Sequence, residues 1–224
     1  MAAPPIISAA RGADVETLRR LLAEGASPNT SLAIAETPLH CLCLRDGGDR
    51  AACFVLLRDA GANLEATTKW DSKPIHCTAC SGSVELLSLL VQSGVNVDTI
   101  TTNDSTALHI AVRKREIDCV EVLLAAGASL DARLSPSGMR PFDIAITRPY
   151  HRMWPLFLRA GAEIPTDNTD PYIVRVRNAG GFKKYEQAHI TRITAILAPT
   201  PRLPPEMVRK IVEFWLHAGY YCYY

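Results

Sequence analysis

The chain has 224 residues, with 24 Lys and Arg against 23 Asp and Glu, and a formal charge of +1. At 48% hydrophobic and 21% charged it has the composition of an ordinary folded protein, and its near-zero charge gives no argument for a nucleic-acid or membrane partner. No apolar run reaches the roughly 18 residues that a membrane-spanning helix needs. Met1 to Pro5 lacks the basic stretch and long apolar core of a signal peptide. Seven irregularly spaced cysteines suit a reducing compartment better than a disulfide framework. An intracellular protein, cytoplasmic or nuclear, is expected.

Along the chain, Thr37-Pro38-Leu39-His40 returns as Lys73-Pro74-Ile75-His76, Thr106-Ala107-Leu108-His109 and Arg140-Pro141-Phe142-Asp143, at intervals of 36, 33 and 34 residues. A second word keeps the same phase: Gly25-Ala26, Gly61-Ala62, Gly94-Val95, Gly127-Ala128 and Gly161-Ala162. Two signals in one register specify a tandem repeat of about 33 residues. Counting back one period from Thr37 lands on Pro4-Pro5-Ile6-Ile7, so an N-terminal unit without a leading finger is expected.

Each unit then predicts the same elements. Thr before Pro opens a helix, its hydroxyl capping free backbone N–H groups and Pro sitting where its missing N–H does no harm. Leu39, Ile75, Leu108 and Phe142 should enter the core. Small residues such as Ala79 and Ala111 allow neighbouring units to approach. A second helix carries Leu21-Leu22, Leu56-Leu57, Leu89-Leu90, Leu123-Leu124 and Phe157-Leu158, and Gly ends it by adopting the left-handed conformation at low cost. A polar stretch such as residues 66–72 leads on as an extended finger.

These strings, with Gly61-Ala62-Asn63-Leu64-Glu65-Ala66 and Gly82-Ser83-Val84-Glu85-Leu86-Leu87, resemble the ankyrin repeat family over residues 4–168. The resemblance implies an all-α solenoid of five helix–turn–helix units, the first and last atypical, with projecting β-turn fingers and a concave groove. Departures are visible. Lys73 and Arg140 replace the capping Thr, and Arg115 stands where Gly82 stands in its own unit. Extra residues lie around Asp46 to Asp49 and Ser135 to Gly138. Pro149 and Pro155 should leave a short second helix in the fifth unit.

The family's groove is lined by finger tips and by the residues before the turn inside each repeat. The resemblance carries that protein-binding role to Arg45, Lys69, Trp70, Cys80, Ser81, Thr102, Asn103, Arg113, Lys114 and Arg148. Trp70 is the expected apolar anchor, since Trp is a favoured hot-spot residue. The alternative is that it folds back on the neighbouring finger. Arg45, Arg113 and Arg148 should form a discontinuous basic ladder with a neutral step at Cys80 and Ser81. An acidic or mixed acidic–apolar protein segment is the expected partner, held by a monomer.

Residues 169–224 form a C-terminal helical extension. Helices are expected from Tyr172 to Ala179, from Phe182 to Leu197 and from Pro204 to His217, the last two with apolar positions at helical spacing. Residues 203–215 are similar to the opening helix of an F-box and to the end of a suppressor-of-cytokine-signalling box, which implies docking to a cullin-type ubiquitin ligase. With nine residues after Trp215, the remaining F-box helices are not expected. The preferred reading of these helices is a cap on the open end of the solenoid, with Met207, Ile211, Phe214 and Trp215 buried, and scaffold docking is its alternative.

No cofactor, metal or chemistry is expected. Cys77 and Cys80 form a CxxC near Cys41 and Cys43, but buried free Cys behaves as a small hydrophobe, and zinc is not expected. His40, His76 and His109 are repeat-word residues with a structural hydrogen-bonding role. No GxSxG, HExxH or phosphate loop is present. The expected function is therefore a non-enzymatic protein-interaction module, with an enzyme as the minor alternative.

Overall fold

The computed structural model describes residues 3–44, 48–148 and 150–197, together with 204, 206, 207 and 210. Among them the backbone forms twelve helices and no strand. Tertiary contacts divide the chain into two compact units, Met1–Ile144 and Ala145–Tyr224.

The first unit holds four helix pairs: α1 (Pro5–Gly12) with α2 (Val15–Ala23), α3 (Pro38–Cys43) with α4 (Arg50–Asp59), α5 (Pro74–Ser81) with α6 (Val84–Gln92), and α7 (Ala107–Lys114) with α8 (Ile117–Ala125). First helices pack on first helices, α1 on α3, α3 on α5 and α5 on α7. Second helices follow suit, α2 on α4, α4 on α6 and α6 on α8. None exceeds 10 residues, so none is stable alone, and stacking supplies the stability. The core positions are those the repeat specifies. Leu39, Ile75, Leu108 and Phe142 are at most 2% exposed. Ala79, Ala111, Leu57, Leu90 and Leu123 are fully buried, each leucine contributing about 1.5–3 kcal/mol of transfer free energy.

The helix starts at Thr37 and Thr106 carry the expected Thr cap, and the side chain three residues on completes it. The Thr37, Lys73 and Thr106 N–H groups donate to Nδ1 of His40, His76 and His109 at 3.2, 2.9 and 3.2 Å. The Thr37 and Thr106 hydroxyls lie 2.9 Å from the same Nδ1 atoms, and the Thr106 hydroxyl also accepts a long bond from the His109 N–H, 3.4 Å. In the last copy of the word, Asp143 takes the histidine's part, its Oδ2 accepting the Arg140 N–H at 2.9 Å and the Arg140 Nε–H at 3.1 Å. Replacing Thr by Lys73 or Arg140 therefore leaves this half of the box intact.

The C-terminal turns behave as read. Gly25, Gly61, Gly94, Gly127 and Gly161 all have φ between 80° and 95°. The first helices of the repeats end in the same left-handed region at Gly82 (φ 74°) and at Arg115 (φ 66°), where a side chain is strained.

Each finger is closed by its own backbone bond: Leu32 N–H to Glu36 O at 2.9 Å, Thr68 N–H to Ser72 O at 2.9 Å, Thr101 N–H to Ser105 O at 3.1 Å, and Leu134 N–H to Met139 O at 3.0 Å. Successive fingers are then tied tip to tip. Lys69 N–H donates to Ile34 O at 3.2 Å, Thr102 N–H to Trp70 O at 3.1 Å, and Ser135 N–H to Asn103 O at 3.3 Å. At the finger bases a second tie recurs: Asn63 N–H to Asn29 Oδ1, Asn96 N–H to Glu65 Oε1, and Ser129 N–H to Asp98 Oδ1, at 2.7, 2.9 and 2.7 Å.

The helix α9 (Pro141–Thr147) carries the division between the units. In the second unit, α10 (Trp154–Arg159) is short and has Pro155 in its first turn, as expected. It is followed by α11 (Pro171–Asn178) and α12 (Phe182–Leu197), close to the predicted bounds, and α12 packs on both. Trp154, 2% exposed, donates its indole N–H to Ala145 O at 2.9 Å. Tyr172 packs against Trp154 and meets Tyr185 edge to face with ring centroids 5.6 Å apart. Ile211, Phe214 and Trp215 lie outside the described residues. Met207, which a cap would bury, is 48% exposed.

Candidate protein-binding site

The finger tips form a row because their backbones are hydrogen-bonded in series, and the first unit offers its side chains from that row. Lys69 and Trp70 occupy one tip, Thr102 and Asn103 the next, and all four are exposed. Trp70 does not fold away: it is 49% exposed, with the Lys69 ammonium 4.7 Å from its ring centroid. A cation over an indole at an exposed site contributes about 0.5–1 kcal/mol. Arg113 and Lys114, at the end of α7, are exposed as predicted.

Other candidates fare differently. Cys80 and Ser81 are half-buried, and the Ser81 hydroxyl donates to Cys43 O at 2.6 Å, so it serves the stacking of α5 on α3. Arg45 lies outside the described residues, as does most of 203–215; Pro204, Glu206, Met207 and Lys210 are exposed. Arg148 is exposed but belongs to the second unit. The three-step basic ladder is thus represented in the first unit by Arg113 with Lys114. The fingers also carry two carboxylates, Asp71 and Asp104, at left-handed turn positions (φ 53° and 54°) beside the tips. With Lys69, Arg113 and Lys114 exposed on the same unit, the surface is mixed with a cationic excess.

Between the second and third fingers lies an open recess of about 210 Å³. Trp70 and Ser72 line it from one finger, and Thr101, Thr102, Asn103 and Ser105 from the next. Ile110 and Arg113 line it from α7. Sequence reasoning singled out Trp70, Thr102, Asn103 and Arg113 and missed Ser72, Thr101, Ser105 and Ile110. Ile110 was findable, since it precedes Arg113 by three residues on one helix. No local signal marks the hydroxyl residues.

The histidines hold the finger frame and are buried. His40 Nε2 donates to Ser72 O at 3.1 Å, His76 Nε2 to Thr99 O at 2.8 Å, and His109 Nε2 to Met139 O at 3.1 Å. With Nδ1 accepting and Nε2 donating, each is the neutral Nε2–H tautomer, and burial pulls all three imidazoles below the usual value of 6.5. Burial pushes the Cys43 thiol up, Cys53 to about 11, and Cys77 and Cys119 to about 12. Among the described residues no group of three or more His, Cys, Asp or Glu side chains is arranged to hold a metal ion, and no helix is long and apolar enough to cross a membrane.

Stacked helix pairs with tied fingers define a helical repeat solenoid. Residues 41–133 match the family model for ankyrin repeats, in three copies. The fold is an ankyrin-repeat fold, and such repeats are in general protein-interaction modules. No curated protein matches the chain.

Proposed function

We propose that the protein binds a protein partner along its finger tips and the adjoining end of α7, using Trp70 as apolar anchor and Lys69, Arg113 and Lys114 as polar contacts, without performing chemistry. The observation that carries this reading is Trp70. Its backbone is locked into the finger row by the Thr102 N–H bond to Trp70 O, while half of its side chain stays in water. A large aromatic group held rigidly at a surface costs little entropy to bind, which is the property of a hot-spot residue. The mixed charge around it suits a partner segment with both acidic and apolar residues. The repeat domain is taken as residues 4–168, with residues 169–224 as a helical extension.

The test is affinity capture from a native lysate with the wild-type chain and Trp70→Ala in parallel. Partners retained by the wild type and lost from the variant support the reading; equal capture by both would refute it. A cullin-type scaffold captured by both and lost when residues 199–224 are deleted would favour the ubiquitin-ligase adaptor reading instead.

A further inference from the structure

We infer that the recess between the second and third fingers receives one acidic side chain, Asp or Glu, of the bound segment, its aliphatic stem against Trp70 and Ile110 and its carboxylate at Arg113 and Ser105. This rests on the finger-tip reading of function and specifies what that surface selects.

Four observations converge on a carboxylate. Arg113 lines the recess and has no ion-pair partner among the described residues. Its guanidinium is thus a fork of donors with no carboxylate to receive it. Ser105 also lines the recess, is 4% exposed, and its Oγ has no hydrogen-bond partner among the described residues. A buried hydroxyl without a partner is a standing cost that an incoming acceptor relieves. Trp70 and Ile110 supply apolar wall for the methylene stem. The neighbouring carboxylates Asp71 and Asp104 are not among the residues that line the recess, and Arg113 supplies the cation that does. At about 210 Å³ the space suits a single side chain and is too small for a folded element.

Neutral polar side chains fit less well. Asn or Gln would present an NH₂ group to a guanidinium that needs only acceptors. An apolar side chain would cover Arg113 and leave both it and Ser105 unpaired.

The experiment is selection of a random peptide library on the full chain. A synthetic consensus peptide is then titrated against the wild type, Arg113→Gln, Ser105→Ala and Trp70→Ala. The expected result is a consensus with Asp or Glu beside an apolar residue. Arg113→Gln should then lose about ten-fold in affinity with its melting temperature unchanged, and Ser105→Ala a few-fold with a melting temperature equal to or above that of the wild type. Changing the peptide's acid to its amide should cost the same ten-fold against the wild type and almost nothing further against Arg113→Gln, the signature of direct coupling. Failure to enrich acidic peptides overturns the inference, as does an acid indifferent to Arg113→Gln. Enriched peptides without an acid that still lose affinity on Trp70→Ala would leave the finger-tip function standing while removing this inference. Peptides that bind all variants equally would remove both.

Discussion

His76 joins two repeats through one ring. Its Nδ1 accepts the Lys73 N–H at 2.9 Å, and its Nε2 donates to Thr99 O at 2.8 Å, across the boundary into the next finger. Only the neutral imidazole does both at once, because a proton on Nδ1 would meet the Lys73 N–H head on. His40 and His109 repeat the arrangement with other carbonyls.

Stability should therefore fall with acid. Burial depresses the three folded-state values below 6.5. Below that pH the unfolded chain binds protons that the folded chain refuses. The histidine contribution is complete above the unfolded value and is lost as pH falls toward the depressed folded values. Thermal melts should show a lower Tm at about pH 5.5 than at about pH 7.5. His76→Ala should melt lower at the higher pH and show a shallower pH dependence. A Tm independent of pH over this range would contradict the assigned tautomers.

The end of α7 should be improvable. Arg115 sits at φ 66° where the equivalent turn has Gly82 at φ 74°. Arg115→Gly should stabilise by about 1 kcal/mol, and Gly82→Ala should cost about 1–2 kcal/mol. A Cβ on Gly82 would also meet the Glu116 carboxylate, but that side chain is flexible, so the backbone conformation sets most of the cost. Denaturant unfolding of the two variants measures both; a destabilised Arg115→Gly would show that its side-chain contacts outweigh the strain.

Partner affinity should depend on the finger tips while folding should not. Trp70→Ala should weaken binding by roughly 2 kcal/mol. Because the residue is half in water, its loss should leave the melting temperature nearly unchanged. Arg113→Ala with Lys114→Ala should flatten the salt dependence of association, since exposed charges steer an anionic partner over about a Debye length. Calorimetric or fluorescence titration at low and high salt checks both, and an unchanged salt slope would mean the cations lie off the binding path.

In the second unit, Trp154→Phe should destabilise by about 2 kcal/mol through lost volume and a lost buried hydrogen bond. The cost is bounded because Ala145 O also accepts the Tyr150 N–H at 3.0 Å. Near-ultraviolet circular dichroism during unfolding would report it, and a neutral substitution would place the indole in a looser environment than the structure has.

Thiol reactivity should follow burial. Cys43, Cys53, Cys77 and Cys119 are buried with raised thiol values, while Cys80 is half-exposed. Iodoacetamide under native conditions should modify Cys80 well before those four, because the thiolate is the nucleophile and both access and ionisation are denied in the core. Peptide mapping by mass spectrometry reads the order, and equal rates would indicate repeats that open readily.

The repeat phase, the helix pairs, the core leucines and the left-handed glycines were legible in the amino-acid sequence because each depends on neighbours a few residues away and recurs in phase. The strained turn at Arg115 was legible for the same reason: its unit carries Arg where the preceding unit carries Gly82. What only tertiary structure decided lies across repeat boundaries. That His76 would find Thr99 O and His40 would find Ser72 O depends on the distance between stacked units. That the Ser81 hydroxyl would be consumed by Cys43 O, and that Ser105 would be buried beside Arg113 without a partner, depends on the same spacing. Sequence periodicity reports which residue repeats, but a hydrogen bond between units is set to within tenths of an ångström by packing of the whole core, and no local pattern carries that distance.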